Sequence, residues 1–158
     1  MGQKVNPTGF RVGINKPWSS VWYANKKDYR HNLIEDIKIR KFLKKQLYNA
    51  GIAQVSIERM SGRIRITLAT SRPGMVIGKK GADIEKLKEM LKRYTSSEIL
   101  VAIREVRKPE LNATLVAENI AGQLVRRIAF RRAMKKAVLT TLKAGAQGIK
   151  VMCSGRLA

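Results

Sequence analysis

Between residues 55 and 91 the hydrophobic period changes around one short loop, and few folds accommodate that order. Val55 and Ile57, then Ile64, Ile66 and Leu68, alternate with Arg63, Arg65 and Thr67 about the turn Met60-Ser61-Gly62. Period-two alternation across a glycine turn predicts a β-hairpin with one buried face. Ser71-Arg72-Pro73-Gly74 breaks the second strand, and Met75-Val76-Ile77 leads into Gly78-Lys79-Lys80-Gly81. Beyond the loop, Ile84, Leu87 and Leu91 repeat at helical spacing, which predicts a helix from about Ala82 to Tyr94. The loop is thereby held between two apolar anchors.

The flanks complete an α+β unit. Leu33, Ile34, Ile37, Phe42, Leu43 and Leu47 stand at mostly helical spacings from Asp28 to about Asn49, with Gly51 placed to end the helix and Lys38, Lys41 and Lys45 on another face. Glu98 to Arg107 alternates again, with Ile99, Val101 and Ile103 on one face, and Lys108-Pro109 ends the unit. The predicted order is helix, strand, strand, loop, helix, strand over residues 28–108. From 109 to 158 a partial α/β second domain is expected. Asn112 caps a helix with the stripe Leu115, Val116, Ile120, Leu124 and Ile128. A second helix carries Met134, Ala137, Val138 and Leu142. Gly148 to Ser154 reads as a strand with no sequential partner. Residues 1–27, with three glycines, two prolines and no helical period, read as an arm with little regular structure.

Charge narrows the function. The chain of 158 residues holds 33 Lys and Arg against 11 Asp and Glu, a formal net charge of +22 that calls for a polyanionic partner. All the acids fall between positions 28 and 118, so both ends are acid-free. The first block holds Lys4, Arg11, Lys16, Lys26 and Lys27 beside Trp18, Trp22 and Tyr23. Bases neutralise phosphate and rings stack on nucleobases, although the rings could equally fold back on the core. The last block holds Arg131 and Lys135 on one helical face and Arg132 and Lys136 on the next, with no acid within a turn to neutralise them.

Several function classes are disfavoured. A lone Cys153 forms no internal disulfide and reads as a small hydrophobe, and a lone His31 offers no cluster for zinc. Glu85 and Glu89 lie among Lys86, Lys88, Lys92 and Arg93, as surface ion pairs do, and no carboxylate cluster fits a nuclease. A P-loop is disfavoured: only three residues separate Gly74 from Gly78 where that motif needs four, and Lys80 replaces the magnesium-holding hydroxyl. No apolar run is long enough for a membrane span and no apolar leader opens the chain, so a cytoplasmic, non-enzymatic, cofactor-free protein is expected.

Ile77 to Ile84, with its Gly-x-x-Gly loop between an apolar residue and an apolar helix, resembles the KH-domain signature, and the element order resembles the type II arrangement. Two glycines let an RNA backbone approach without Cβ obstruction, and the helix behind offers its positive end to phosphate. The wider chain resembles the bacterial small-subunit ribosomal protein S-three family: Met1-Gly2-Gln3-Lys4-Val5-Asn6-Pro7 with Gly9-Phe10-Arg11, Phe130 to Lys136, Gly148 to Val151, and Ser154 to Leu157. That resemblance implies a structural protein of the small-subunit head bound to ribosomal RNA. It also implies neighbours S-ten and S-fourteen, entrance neighbours S-four and S-five, and a place at the messenger RNA entrance. There Arg131, Arg132 and Lys135 would help unwind structured messages, with Lys136 beside them. The family's second domain continues with further strands, so the resemblance implies that part of it is lacking here. A free KH regulator is the rival, with no use for a basic, aromatic arm.

Overall fold

A computed structural model describes residues 2–78 and 81–157. At its centre is a four-stranded sheet in the order β1-β2-β3-β4, built from β1 (Ser20–Val21), β2 (Ile52–Met60), β3 (Arg63–Thr70) and β4 (Glu98–Glu105). β2 and β3 form the predicted antiparallel hairpin, with Met60 opposite Arg63 across the turn Ser61-Gly62. Gly62 there takes a φ of 73°, a conformation that costs glycine nothing. β4 runs parallel to β3, so Ile64 faces Ile99, Ile66 faces Val101 and Leu68 faces Ile103. Alternation places all six on one face, and that face is the core.

Helix α2 (Lys26–Gln46) covers it with Ile39 and Leu43, and α4 (Ala82–Leu91) covers it with Leu87 and Leu91. Val76, from the short helix α3 (Pro73–Ile77), is buried in the same cluster. The order α2-β2-β3-α4-β4 is that of a KH-type α+β fold. In the remaining stretch, α5 (Ala113–Val125) begins at Asn112, whose carboxamide oxygen accepts from the Thr114 and Leu115 amides at 3.1 and 3.2 Å, the cap expected from sequence. α6 (Phe130–Lys143) packs against it, burying Ala133 and Thr141 beside Leu115 and Ile120.

Two expectations are corrected. The first concerns residues 1–27, which carry two short regular elements. Asn6 caps a short helix α1 (Pro7–Arg11), and β1 pairs parallel to β2, with the Ile57 amide bonded to the Ser19 carbonyl at 3.0 Å. Along α2, Leu33, Ile34 and Ile37 remain about two-fifths exposed while Ile39 and Leu43 are fully buried. The second correction concerns Gly148 to Ser154, which forms no strand. Ile149, Val151 and Cys153 are half-buried while Lys150, Met152 and Ser154 are exposed, so the alternation is real. The segment lies along α5, however, and pairs with no strand among the described residues.

The arm is fastened by a buried polar cluster. Asp36 is 1% exposed and accepts from Ser20 Oγ at 3.0 Å, Trp22 Nε1 at 2.8 Å and Arg59 Nη2 at 2.6 Å. Arg59 also reaches Glu35 at 2.9 Å. Beside them Arg40 donates to the Val55 carbonyl, to the Ser19 carbonyl at 2.6 Å and to Ser20 Oγ at 2.8 Å, clamping β1 to β2. Burial lowers the Arg40 guanidinium below its ordinary pKa, and the Asp36 carboxylate partly offsets that.

Candidate nucleic-acid interface

Two glycines frame the first candidate surface. Gly78 ends α3 with φ 70° and ψ −174°, and Gly81 opens α4 with φ 82°. Both are in the left-handed region that L side chains avoid, so glycine is required at each end of the loop. A Cβ on Gly78 would also run into the Asp83 carboxylate. On either side Val76 and Leu87 are buried, which fixes the loop's ends to the core. The two lysines expected to meet RNA there, Lys79 and Lys80, lie outside the described residues. Met75 and Ile77, half and two-fifths exposed, leave an apolar step beside the loop.

The second surface is the start of α6. Arg131 and Arg132 stand in its first turn, Lys135 and Lys136 in the next, and all four are exposed. None makes an ion pair among the described residues. Ala129 precedes the helix and supplies no side-chain cap, and no acid occupies the first turn. Cations at a helix N-terminus oppose the macrodipole, each by about 0.3–1 kcal/mol, so the arrangement is locally unfavourable. The field it produces is strongly positive, because the helix end and the side chains add.

The turn before α6 extends this surface. Arg126 and Arg127 are exposed, and Arg127 is the one non-glycine residue with positive φ among those described, at 59°. Neither was singled out as a site residue from sequence, although the acid-free run that contains them was the available signal. Six cations therefore crowd one end of the helix pair. Among the described residues Arg131 alone of the six lies over an aromatic ring, its guanidinium carbon 5.7 Å from the Phe130 ring centre.

In the arm, Lys4, Arg11, Lys16, Lys26 and Lys27 are all exposed. The rings divide between the two roles left open by sequence. Trp18 is 67% and Tyr23 93% exposed, free to stack, whereas Trp22 is half-buried and turned to the protein's own side chains. Its ring lies 5.3 Å from that of Tyr29 and beneath the Arg59 guanidinium at 5.9 Å, and its indole N–H is given to Asp36.

Other candidates have ordinary surroundings. Glu85 pairs with Lys88 at 2.8 Å on the surface of α4, and exposed His31 lies 3.4 Å from Glu35. Among the described residues no group of His, Cys, Asp and Glu could hold a metal ion, and no helix is long and apolar enough to cross a membrane.

Known protein families match both parts of the chain. The KH domain family matches residues 38–111, and the ribosomal protein S3 C-terminal domain family matches residues 120–158. A small ribosomal subunit protein uS3 from Syntrophus aciditrophicus is 63% identical over 157 residues, which is 99% of this chain and 72% of that protein. The uS3 proteins of Pelagibacter ubique and Citrifermentans bemidjiense are each 59% identical over 157 residues, or 70% and 74% of their own lengths.

Proposed function

Because the chain belongs to the small ribosomal subunit protein uS3 family, whose members are structural and not enzymatic, we propose that its two basic surfaces divide the RNA-binding work of such a protein. The KH unit and the arm hold small-subunit ribosomal RNA. Gly78, Lys79, Lys80 and Gly81 clamp the RNA backbone, while Lys4, Arg11, Lys16, Lys26 and Lys27 neutralise phosphates around an exposed Trp18. Trp22 positions the arm instead of touching RNA. In this reading 1–27 is the arm, 28–108 the KH unit and 109–158 the second unit, seated in the subunit head near S-ten and S-fourteen.

The α6 surface lines the messenger RNA entrance, with S-four and S-five as its neighbours, and binds the incoming strand through Arg131, Arg132, Lys135 and Lys136. The observation that carries this is the uncapped start of α6. Four exposed cations without carboxylate partners among the described residues crowd a helix end whose dipole already repels them, a local cost that a passing polyanion reverses. Unwinding needs no catalytic group. Translocation pulls the message, and cations that hold the separated strand deplete the state able to re-pair.

Replacing Arg131, Arg132 and Lys135 together by Ala tests the reading. Assembly should be intact, passage through a stable hairpin should slow severalfold, and unstructured messages should be read at the normal rate. Equal rates on both kinds of message would refute the entrance role.

A further inference from the structure

A cleft of about 540 Å³ separates the KH unit from the helix pair. Tyr48, Ser71 and Arg72 form part of one wall, and Gly122 of α5, Arg126 just beyond its end and Lys136 of α6 form part of the other. Arg72, Arg126 and Lys136 make no ion pair among the described residues. The lining carboxylates are Glu110 and Glu118, and Lys44 answers Glu118 at 3.2 Å. The cleft is therefore an opening to which both walls contribute cations, three in all, without a carboxylate partner among the described residues, and of these Arg72 donates to the Asn49 carbonyl at 3.5 Å.

Gly122 is the unexplained residue. It lies inside α5, where glycine is the least favourable choice after proline, and its φ is not positive. A Cβ there would meet nothing within 4 Å, so the fold's own packing does not demand its absence. Glycine at such a place gives something outside the fold room to approach the helix backbone closely.

We propose that this cleft seats a sugar-phosphate stretch of single-stranded RNA, with Arg72, Arg126 and Lys136 on its phosphates and the bare strip at Gly122 against its backbone. Two further features fit an unpaired strand. Tyr48 is 54% exposed and offers a ring for stacking. Gln123 donates to Asn119 at 2.5 Å, which leaves the Gln123 oxygen and the Asn119 amide hydrogens for base edges that a duplex would hide. Lys136 belongs both to the cleft and to the exposed face of α6, so the two form one track. The inference rests on the RNA-binding reading above.

Gly122→Gln tests it, because glutamine fills the strip, favours helix and leaves the charge unchanged. The full chain should gain about 2 °C in Tm. Its affinity for a mixed-sequence single-stranded RNA of about twelve nucleotides should fall about tenfold, as should that of a Lys79→Asp, Lys80→Asp double variant measured in parallel. An unchanged affinity in Gly122→Gln, with weaker binding in the loop variant, overturns the cleft and leaves the RNA-binding reading standing. Unchanged affinity in both overturns both. If Gly122→Gln does not fold, Arg72→Ala with Arg126→Ala decides: the slope of log affinity on log salt should shrink by about 2, and an unchanged slope overturns the proposal.

Discussion

Removing the charge of Asp36 should detach the arm before the sheet unfolds. Its carboxylate is buried, and its four polar contacts come from Ser20, Trp22 and the two nitrogens of Arg59. Breaking a buried ion pair from one side costs about 3–5 kcal/mol, because the other charge is left uncompensated. Here Glu35 still answers Arg59 at 2.9 Å, which points to the lower end of that range. Asp36→Ala also leaves the Ser20 hydroxyl hydrogen and the Trp22 indole N–H without an acceptor, at about 1 kcal/mol each, so a total near 5 kcal/mol follows. That is most of the stability of a marginal domain. Asp36→Asn keeps an acceptor oxygen for Ser20 and Trp22 and should cost about 2 kcal/mol.

The assay is built into the sequence, since both tryptophans, Trp18 and Trp22, lie in the arm. Tryptophan emission therefore reports the arm, and far-ultraviolet circular dichroism reports the helices and sheet. In a urea titration of Asp36→Asn, the emission midpoint should fall below the dichroism midpoint, while the two coincide in the unsubstituted protein. A loss under about 0.5 kcal/mol, with both midpoints still coincident, would refute the view that Asp36 fastens the arm.

Two further outcomes follow from the helix pair. Asn112→Ala removes the acceptor for two amides at the start of α5 and should cost about 1 kcal/mol in chemical denaturation, with no change in RNA affinity. The cations at 126, 127, 131, 132, 135 and 136, if each meets a phosphate, give a slope of about −4 in log affinity against log salt for single-stranded RNA, and a nearly flat plot would reject the electrostatic basis of binding.

The hairpin, the glycine-framed loop and the Asn112 cap were legible because each depends on residues near in sequence: alternation, a turn glycine, a side chain reaching its own helix. β1 was not. It is two residues long, too short to alternate, and it exists because Arg40 and Asp36, about twenty residues on, hold Ser19 and Ser20 against β2. Asp36 itself reads from sequence as one more charge on an amphipathic helix. Its burial is decided by Arg59, on a strand that only the tertiary fold brings near. Which apolar residues of α2 are buried is likewise decided by the tertiary fold. Leu33, Ile34 and Ile37 repeat at helical spacing as convincingly as Ile39 and Leu43 do, and only the position of the sheet selects between them. Gly148 to Ser154 has the burial rhythm of a strand, but a ladder needs an adjacent edge, and periodicity says nothing about one.

The α6 cations were visible as an acid-free run, whereas their unfavourable place at an uncapped helix start emerged only with the helix boundary at Phe130. Gly122 gave no signal in sequence, because a glycine in a helix becomes informative only when the space around it is known.

The most direct test of the central claim, that this chain is a structural RNA-binding constituent of the small ribosomal subunit, is sedimentation of a gently prepared lysate through a high-salt gradient with detection of the chain in every fraction. Firm co-migration with the small subunit is the predicted result. Recovery in light fractions alone, with the subunits intact, would contradict it.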